Sequence, residues 1–377
     1  DNNSTTEIDS RVLDAMLPFF QNKYSNAASL HQFGVENAKA VEEARKKVAD
    51  LCGASSSDII FTSGATESVN LAIKGFALAN QAKGKHIITL QSEHKAVLDS
   101  CKYLESIGFE ISYLPVQSDG LLPLLDLEKE LREDTILVSV MYSNNETGVI
   151  QPLKSISKIV HKAGKTLFTD ATQAVGKIPI NVYDLNIDMM AFSGHKFYGP
   201  KGIGGLFIRN LKQNKLTIQA QMHGGGQELG LRSGTLNVPL IIGLGKACEI
   251  ANVEMKEQSI TVKLLRDKLE RNLLMYPGAY VNGSSNSRIF NVTNICFPGN
   301  DANVLLGRLK NIIASNGSAC SSAILEPSHV LKSLGLSDDD ALSSIRFSLS
   351  KFNTEAEVYV ASQKLLELLT NSEKYYA

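Results

Sequence analysis

The chain has 377 residues, a length that suits two domains of about 100–200 residues each. Its 38 Lys and Arg residues nearly balance its 39 Asp and Glu residues, which argues against nucleic acid or an acidic membrane surface as the main partner. No apolar run approaches the roughly 20 residues of a membrane span, and no charged-then-apolar leader opens the chain. We therefore expect a cytoplasmic protein that contacts no membrane.

The N-terminal stretch "DNNSTTEID" is polar and is expected to form a loop before a first helix, with Asp9 as the helix cap. From about residue 58 to residue 209 the chain then alternates apolar runs with amphipathic ones. The helical patterns between the strands include "ATESVNLAIKGFALAN", "EHKAVLDSCKYLESIG" and "SISKIVHKAG". The strand candidates are "DIIFTSG", "KHIITLQ", "FEISYLPV", "TILVSVMY", "TLFTDAT", "DMMAFSGH" and "GIGGLFIR". This alternation predicts an α/β fold with a mostly parallel sheet covered by helices on both faces.

A long helix over residues 239–275 is expected to lead into a second unit. After it come the strand candidates "AYVNG", "NVTNICF" and "SSIRFSLS" and a last helix, "TEAEVYVASQKLLELLT". The pattern predicts a large domain over residues 11–250 and a smaller α+β domain over residues 251–377, which the N-terminal segment 1–10 joins.

The five cysteines are scattered and contain no C-x-x-C pair, which argues against a disulfide framework and against a structural zinc site. Cys320 stands among the small polar residues of "NGSACSS", so we expect its segment to be exposed and mobile. A thiolate in such a segment can attack a substrate and present its product outward. The other four lie in helix-like or strand-like surroundings and are expected to be small core residues: Cys52, Cys101, Cys248 and Cys296.

In "FTSGATES" a strand ends, Gly64 allows a sharp turn, and Ala65 and Thr66 open a helix. Free N–H groups and the helix dipole make such a start a site for an anion, most often phosphate, although a plain helix cap has the same pattern. Other ligand and enzyme motifs are incomplete: "AGKT" lacks the first glycine of a Walker loop, and "HGGG" has no G-x-S-x-G elbow to accompany it.

Two further strand ends carry candidate chemistry. "LFTDATQAVG" places Asp170 and Gln173 after one strand, and Lys196 in "SGHK" follows Asp170 by 26 positions, about one strand-helix-strand unit. Lys196 alone could be a solvated loop residue, a phosphate clamp or an amine held for covalent chemistry. A lysine, a carboxylate and a phosphate-binding helix start at one sheet edge are the three groups that pyridoxal phosphate needs.

The order of motifs along the chain resembles the cysteine desulfurases of iron–sulfur cluster assembly, which belong to class V of the fold-type I pyridoxal-phosphate enzymes. The likeness covers nearly the whole chain and is carried by "DNNSTT", "FTSGATESVNLAIKG", "SEHKAVL", "NNETG", "DATQAVGK", "SGHKFYGPKGIG", "MHGGGQE", "RSGTLN", "NGSACSS", "LEPSHVL" and "SSIRFSL". It implies a fold-type I transferase whose large domain holds a seven-stranded, mostly parallel sheet.

The resemblance implies roles for the residues that match. Lys196 would hold pyridoxal 5'-phosphate as a Schiff base, Asp170 would face the ring nitrogen, and Gln173 would face the phenolic oxygen. His94 would stack on the ring and move protons. The residues implied to bind the phosphate are Ala65, Thr66, Ser193 and His195.

On the substrate side, the resemblance implies that Asn145 and Arg346 hold the carboxylate of L-cysteine, with Asn145 also beside the cofactor. Cys320 would take the sulfur as a persulfide and leave L-alanine. Thr235 in "LRSGTLN" resembles the residue that reaches the phosphate of the partner subunit, which implies a homodimer.

The partners that the resemblance implies are a sulfur-acceptor protein or a cluster scaffold, with a transient iron–sulfur cluster at Cys320 shared with that scaffold. The alternatives are a selenocysteine lyase, another class V enzyme such as an aminotransferase, or a catalytically silent binding protein on the same fold. The polar segment around Cys320 favours sulfur transfer, because release of selenium does not demand a protein nucleophile.

Overall fold

A seven-stranded sheet forms the centre of the computed structural model, which describes residues 1–213, 215–317 and 326–376. The order is β1-β7-β6-β5-β4-β2-β3, and only β7 runs antiparallel to its neighbours. The prediction of a mostly parallel sheet is thereby confirmed. The strands are β1 (Ile59–Thr62), β2 (His86–Leu90), β3 (Glu110–Leu114), β4 (Thr135–Ser139), β5 (Thr166–Asp170), β6 (Met189–Ser193) and β7 (Gly204–Ile208).

Helices cover both faces of this sheet, because the strands are apolar on both sides and must be shielded on both. On one face α3 and α4 share a core with the sheet, and on the other face α1, α2, α6 and α7 do so. Asp9 caps α1 as predicted, since its side chain accepts a hydrogen bond from the Arg11 N–H at 3.0 Å. The helices are α1 (Ser10–Phe20), α2 (Gln32–Cys52), α3 (Ala65–Asn80), α4 (Lys95–Ser106), α5 (Leu124–Glu130), α6 (Leu153–Lys162) and α7 (Val238–Leu273).

The C-terminal part contains a three-stranded antiparallel sheet in the order β10-β9-β8 and has a core of its own. The long helix α7 belongs to both parts: Ile250 and Ala251 pack in the large core, and Val262 packs in the small one. The domain boundary at residue 250 therefore falls inside a continuous helix and stays a prediction. The elements are β8 (Tyr280–Val281), β9 (Val292–Cys296), β10 (Ser344–Ser348), α8 (Ala302–Arg308), α9 (His329–Ser333), α10 (Asp338–Leu342) and α11 (Glu355–Tyr376).

The N-terminal segment, residues 1–6, runs between the two parts and bonds to both. Asn2 N–H donates to the Ser348 carbonyl at 3.2 Å, and Asn3 N–H donates to Ser348 Oγ at 2.9 Å. On the other side, Thr6 N–H donates to the His195 carbonyl at 2.9 Å. This segment thus connects the last strand of the small sheet with the end of β6.

The four cysteines predicted to be core residues are buried, and burial raises the pKa of Cys52 and of Cys101 to about 12. Such thiols stay protonated at neutral pH and are poor nucleophiles. Cys320 lies outside the described residues. Within the described part of the chain, no helix is long and apolar enough to cross a bilayer, and no three His, Cys, Asp or Glu side chains gather as a metal site.

Candidate active site

A cavity of ≈ 490 Å³ opens at the edge of the large sheet where the parallel strands end. The carboxyl ends of parallel strands meet at one edge, which is where α/β proteins place their ligand-binding groups. The structure thereby brings together residues from six separate motifs of the sequence. The predicted site residues that line this cavity are Ala65, Thr66, His94, Asn145, Asp170, Gln173, Ser193, His195, Lys196 and Arg346.

Two predicted site residues are not placed in this cavity. Thr235 is exposed and does not line it, so its predicted contact with a partner subunit stays a prediction. Cys320, with its predicted persulfide and its predicted cluster, lies outside the described residues. Gly317, the last described residue before it, lines the cavity.

The start of α3 forms one wall of the cavity. Gly64 has φ +152 and ψ −179, a conformation that residues with a Cβ rarely adopt, and no side chain within the described ranges caps the helix. A Cβ at Gly64 would stand 3.6 Å from Ser193 Oγ, so the absence of that atom keeps the space between them open. Uncapped N–H groups beside a serine hydroxyl form a site suited to an anion.

Lys196 ends a 3₁₀ turn, Gly194–Lys196, that follows β6 directly. Its Nζ donates to the Asn3 carbonyl at 2.8 Å and to the Ser4 carbonyl at 2.6 Å. The N-terminal segment therefore fixes the amine beside the cavity.

Asp170 is the last residue of β5, is buried, and accepts a hydrogen bond from the Thr172 N–H at 2.9 Å through Oδ1. The hydroxyl of Thr172 also lines this site and is a buried polar atom with no hydrogen-bond partner among the described residues. A carboxylate at this depth can hold a proton on a basic nitrogen that enters the cavity.

His94 is the N-cap of α4, and its Nδ1 accepts a hydrogen bond from the Ala96 N–H at 3.1 Å. Burial lowers the pKa of His94, so the ring is neutral and carries its proton on Nε2. Burial likewise lowers the pKa of His195 to about 4, and the Nδ1 of that ring lies 3.1 Å from Thr5 Oγ1. Both imidazoles of the site are uncharged at neutral pH.

Arg346 lies on β10 at the side of the cavity that the small sheet provides. Its Nη1 donates to the Asn145 carbonyl at 3.0 Å, and its Nη2 pairs with Asp1 Oδ1 at 2.6 Å. The amide Oδ1 of Asn145 is buried with no hydrogen-bond partner among the described residues. An arginine held in this way and a neighbouring amide suit a small carboxylate ligand.

Glu146 lies against Gly317 and Ser328, which stand on either side of the segment of Cys320. Its Oε2 accepts a hydrogen bond from Ser328 Oγ at 2.5 Å, and a Cβ at Gly317 would lie only 2.3 Å from the same oxygen. Gly317 has φ +82, so both its backbone conformation and its contact with Glu146 require glycine. Burial raises the pKa of Glu146 to about 7.

Glu146→Gln is expected to raise the free energy of unfolding at pH 8 relative to wild type, and to change it little at pH 5. The folded protein prefers the protonated carboxyl, since the pKa of Glu146 rises from 4.5 to about 7, so the wild type loses stability as pH increases through this window. The neutral amide avoids a loss of up to about 3 kcal/mol. Urea denaturation at the two pH values measures the difference, with the exposed Glu7→Gln as control. An equal effect of Glu146→Gln at both pH values would contradict this account.

Sequence reasoning did not single out four residues that line or support the site: Asn3, Glu146, Thr172 and Lys177. Each belongs to a motif quoted above, but no periodicity or charge pattern distinguishes it from a loop residue. Asn3 lies in a polar N-terminal stretch, yet it is buried, and its carbonyl accepts from both Lys196 and Gln173. These contacts span more than 160 residues of sequence and leave no local signal.

The residues of the cavity fit pyridoxal phosphate on structural grounds. An uncapped helix start with a serine suits the phosphate, a buried carboxylate suits the ring nitrogen, and an amine suits the aldehyde. The buried Thr172 hydroxyl, which has no hydrogen-bond partner in the described part of the chain, adds a polar group to the lining of the same cavity.

Residues 1–360 match the family model described as aminotransferase class-V. This match and the mixed seven-stranded sheet define the class: a pyridoxal-phosphate-dependent enzyme with the fold of the class-V aminotransferases.

Comparison with individual relatives shows which family within this class the chain belongs to. A protein of Arthroderma benhamiae described as a mitochondrial cysteine desulfurase is 49% identical over 373 residues, which are 98% of this chain and 74% of the relative. A solved structure described as a NifS-like protein has a TM-score of 0.92 and 41% identity, and the match covers 98% of each chain. Another, titled SspA in complex with cysteine, has a TM-score of 0.83 and 36% identity over 94% of this chain and 99% of the other. The chain belongs to the cysteine desulfurase family.

Proposed function

We propose that this protein converts L-cysteine to L-alanine and forms a persulfide on Cys320, supplying sulfur for iron–sulfur clusters or other thio-cofactors. One observation carries the proposal: Lys196, Asp170 and the uncapped start of α3 line one cavity at the edge of the large sheet. The relative named as a cysteine desulfurase and the solved structure titled as a complex with cysteine support this choice over a selenocysteine lyase, an aminotransferase or a silent binding protein.

The cofactor that we propose is pyridoxal 5'-phosphate, with its aldehyde at Lys196, its ring nitrogen at Asp170 and its phosphate at the start of α3. When bound, it supplies the electron sink for the charge left on the substrate carbon as the α-proton departs. Ala65, Thr66, Ser193 and His195 hold the phosphate end.

Arg346 and Asn145 bind the carboxylate of the substrate. The Arg346 guanidinium is pre-oriented by the Asn145 carbonyl and by Asp1, so little side-chain entropy is lost when a carboxylate binds. The planar fork of an arginine fits two carboxylate oxygens at once, which aligns the α-carbon of the substrate with the site.

His94 moves the proton. Its Nδ1 accepts a hydrogen bond from the Ala96 N–H, so the neutral ring at rest carries its proton on Nε2. To take up the α-proton at Nε2, the ring shifts its own proton to Nδ1, and the contact with the Ala96 N–H opens. The imidazolium formed in this way readily returns the Nε2 proton to carbon, because burial lowers the pKa of His94.

Cys320 takes the sulfur. Its thiolate attacks the sulfur of the substrate, a sulfur–sulfur bond forms as the carbon–sulfur bond breaks, and the electron pair of the broken bond remains on carbon. Protonation of that carbon and return of a proton to the α-carbon give alanine, and the sulfur stays on Cys320 as a persulfide. A second protein or a small thiol then removes the sulfur by attack at the persulfide.

We further propose that the protein acts as a homodimer, since the exposed Thr235 lies outside the cavity of its own chain and is free to serve the cavity of a second copy. The sulfur acceptor, the cluster scaffold and the cytoplasmic location expected from the sequence stay predictions. One relative is described as mitochondrial.

Incubation with L-cysteine tests the proposed function: equal amounts of alanine and transferable sulfur are expected. Asp170→Asn keeps the size of the side chain but removes the negative charge, so turnover is expected to fall on the order of a hundredfold. Cofactor affinity should fall as well, and both losses are measured on the purified variant.

Asp119→Asn, at a loop carboxylate outside the cavity, is the matched control. Unchanged turnover in Asp170→Asn would remove Asp170 from the site.

A further inference from the structure

Lys177 is a buried amine that the proposed reaction does not use. Its side chain is 6% exposed, and it forms no ion pair with the described residues. Burial, with the positive charges of Lys196 and Arg346, lowers the pKa of Lys177 to about 7. Burial of a lysine without a carboxylate partner lowers the stability of the folded protein. The presence of a lysine at this position therefore indicates a role other than stabilisation.

The contacts of Lys177 lead to the cofactor site through Gln173, which stands four residues earlier on the same turn after β5. Lys177 Nζ donates to Gln173 Oε1 at 2.7 Å, and it lies 3.4 Å from Asn3 Oδ1. Gln173 Nε2 in turn donates to the Asn3 carbonyl at 2.9 Å. That carbonyl also accepts from Lys196 Nζ.

These contacts fix the orientation of the Gln173 amide, that is, the positions of its NH₂ group and of its oxygen. A carbonyl oxygen accepts and cannot donate, so the Gln173 group that faces the Asn3 carbonyl must be the NH₂. The oxygen of the amide then faces Lys177, an amine that donates to it. One N–H of Gln173 is used by Asn3, and the other remains for a ligand in the cavity that Gln173 lines.

We propose that Lys177 is a positioning residue that locks the Gln173 amide so that it presents an N–H, and not its oxygen, to the phenolic oxygen of the cofactor. This inference rests on the proposed function. Without the amine, the Gln173 oxygen loses its donor, and the amide is held only by its bond to the Asn3 carbonyl. Less strongly held, the amide turns a lone pair to the phenolate for part of the time. A lone pair there repels the phenolate that the N–H stabilises.

Two quantities report on this arrangement without a measurement of turnover: the dissociation constant of pyridoxal phosphate and the pKa of the pH-dependent absorption of the bound cofactor. Lys177→Met, which keeps the length and removes the amine, is expected to weaken cofactor binding on the order of tenfold. It should also raise the spectral pKa, because the phenolate loses the N–H donor that Lys177 keeps in place.

A double-mutant cycle separates positioning from general structural support. In a Gln173→Leu background, Lys177→Met is expected to change neither quantity further, since the amide on which Lys177 acts is gone. Lys177→Gln retains an N–H donor that is one bond shorter in reach, and it should restore part of the affinity that Lys177→Met loses. If Lys177→Met does not fold, Lys177→Ala takes its place in the cycle.

Equal effects of the lysine substitution in the wild-type and Gln173→Leu backgrounds, or no effect of Lys177→Met in the otherwise wild-type protein, would overturn the positioning role. A wild-type chain that binds no pyridoxal phosphate would overturn both this inference and the proposed function. A wild type that binds the cofactor with an additive cycle would overturn the inference alone.

Discussion

Replacing Cys320 with serine is expected to reduce alanine production from L-cysteine by at least about a hundredfold, and to abolish persulfide formation. A hydroxyl at neutral pH is a far poorer nucleophile toward sulfur than a thiolate. Cofactor binding should persist, because the groups proposed for it lie at the ends of β1, β5 and β6 and on the elements that follow them. Activity on selenocysteine should largely remain, since selenium leaves without a protein thiol.

The matched controls for this variant are cysteine-to-serine substitutions at the buried positions Cys52, Cys101, Cys248 and Cys296, made one at a time. These variants are expected to be less stable than the wild type. Unlike Cys320→Ser, they should not lose desulfuration while they keep cofactor binding. Mass spectrometry of the wild type after brief exposure to L-cysteine should place the added sulfur on the peptide that contains Cys320. Sulfur found at a buried cysteine, or full alanine production in Cys320→Ser, would refute the proposed reaction.

Lys196→Ala is expected to abolish the borohydride-reducible bond between protein and cofactor, together with the visible absorption that depends on it. The Lys196 amine lies in the cavity, held by the Asn3 and Ser4 carbonyls, in reach of an aldehyde bound there. Turnover should fall below detection. Absorption spectra and mass spectrometry after borohydride reduction give the two measurements.

Lys201→Ala is the matched control, because Lys201 also lines the cavity but is exposed. That variant should keep the reducible bond. A reducible bond that survives in Lys196→Ala, or that disappears in Lys201→Ala, would assign the covalent role to another amine.

The sequence predicts the fold well where its signals are local. Apolar runs of strand length, the Asp9 cap and the glycine at position 64 each depend on neighbours within a few residues, and the structure agrees at each. The resemblance to a known family assigned roles to ten of the residues that line the cavity, because the motifs follow each other along the chain in the order typical of that family.

What the sequence could not predict depends on contacts between distant segments. Lys177 and Glu146 are charged residues whose burial only the folded chain creates. Neither the orientation of the Gln173 amide nor the contact of Glu146 with Gly317 and Ser328 follows from spacing or composition. Groups of this kind are found by asking where each buried polar atom has its partner.

The bonds between the N-terminal segment and Ser348 have a consequence for synthesis of the protein. The carbonyls that hold Lys196 belong to Asn3 and Ser4, whereas Ser348 on β10, which supports this segment, is synthesised 345 residues after Asn3. Closing a loop of this length is slow, so the large sheet can form on the nascent chain before its lysine pocket is complete. Capture of the cofactor in its final geometry therefore waits until β10 has left the ribosome.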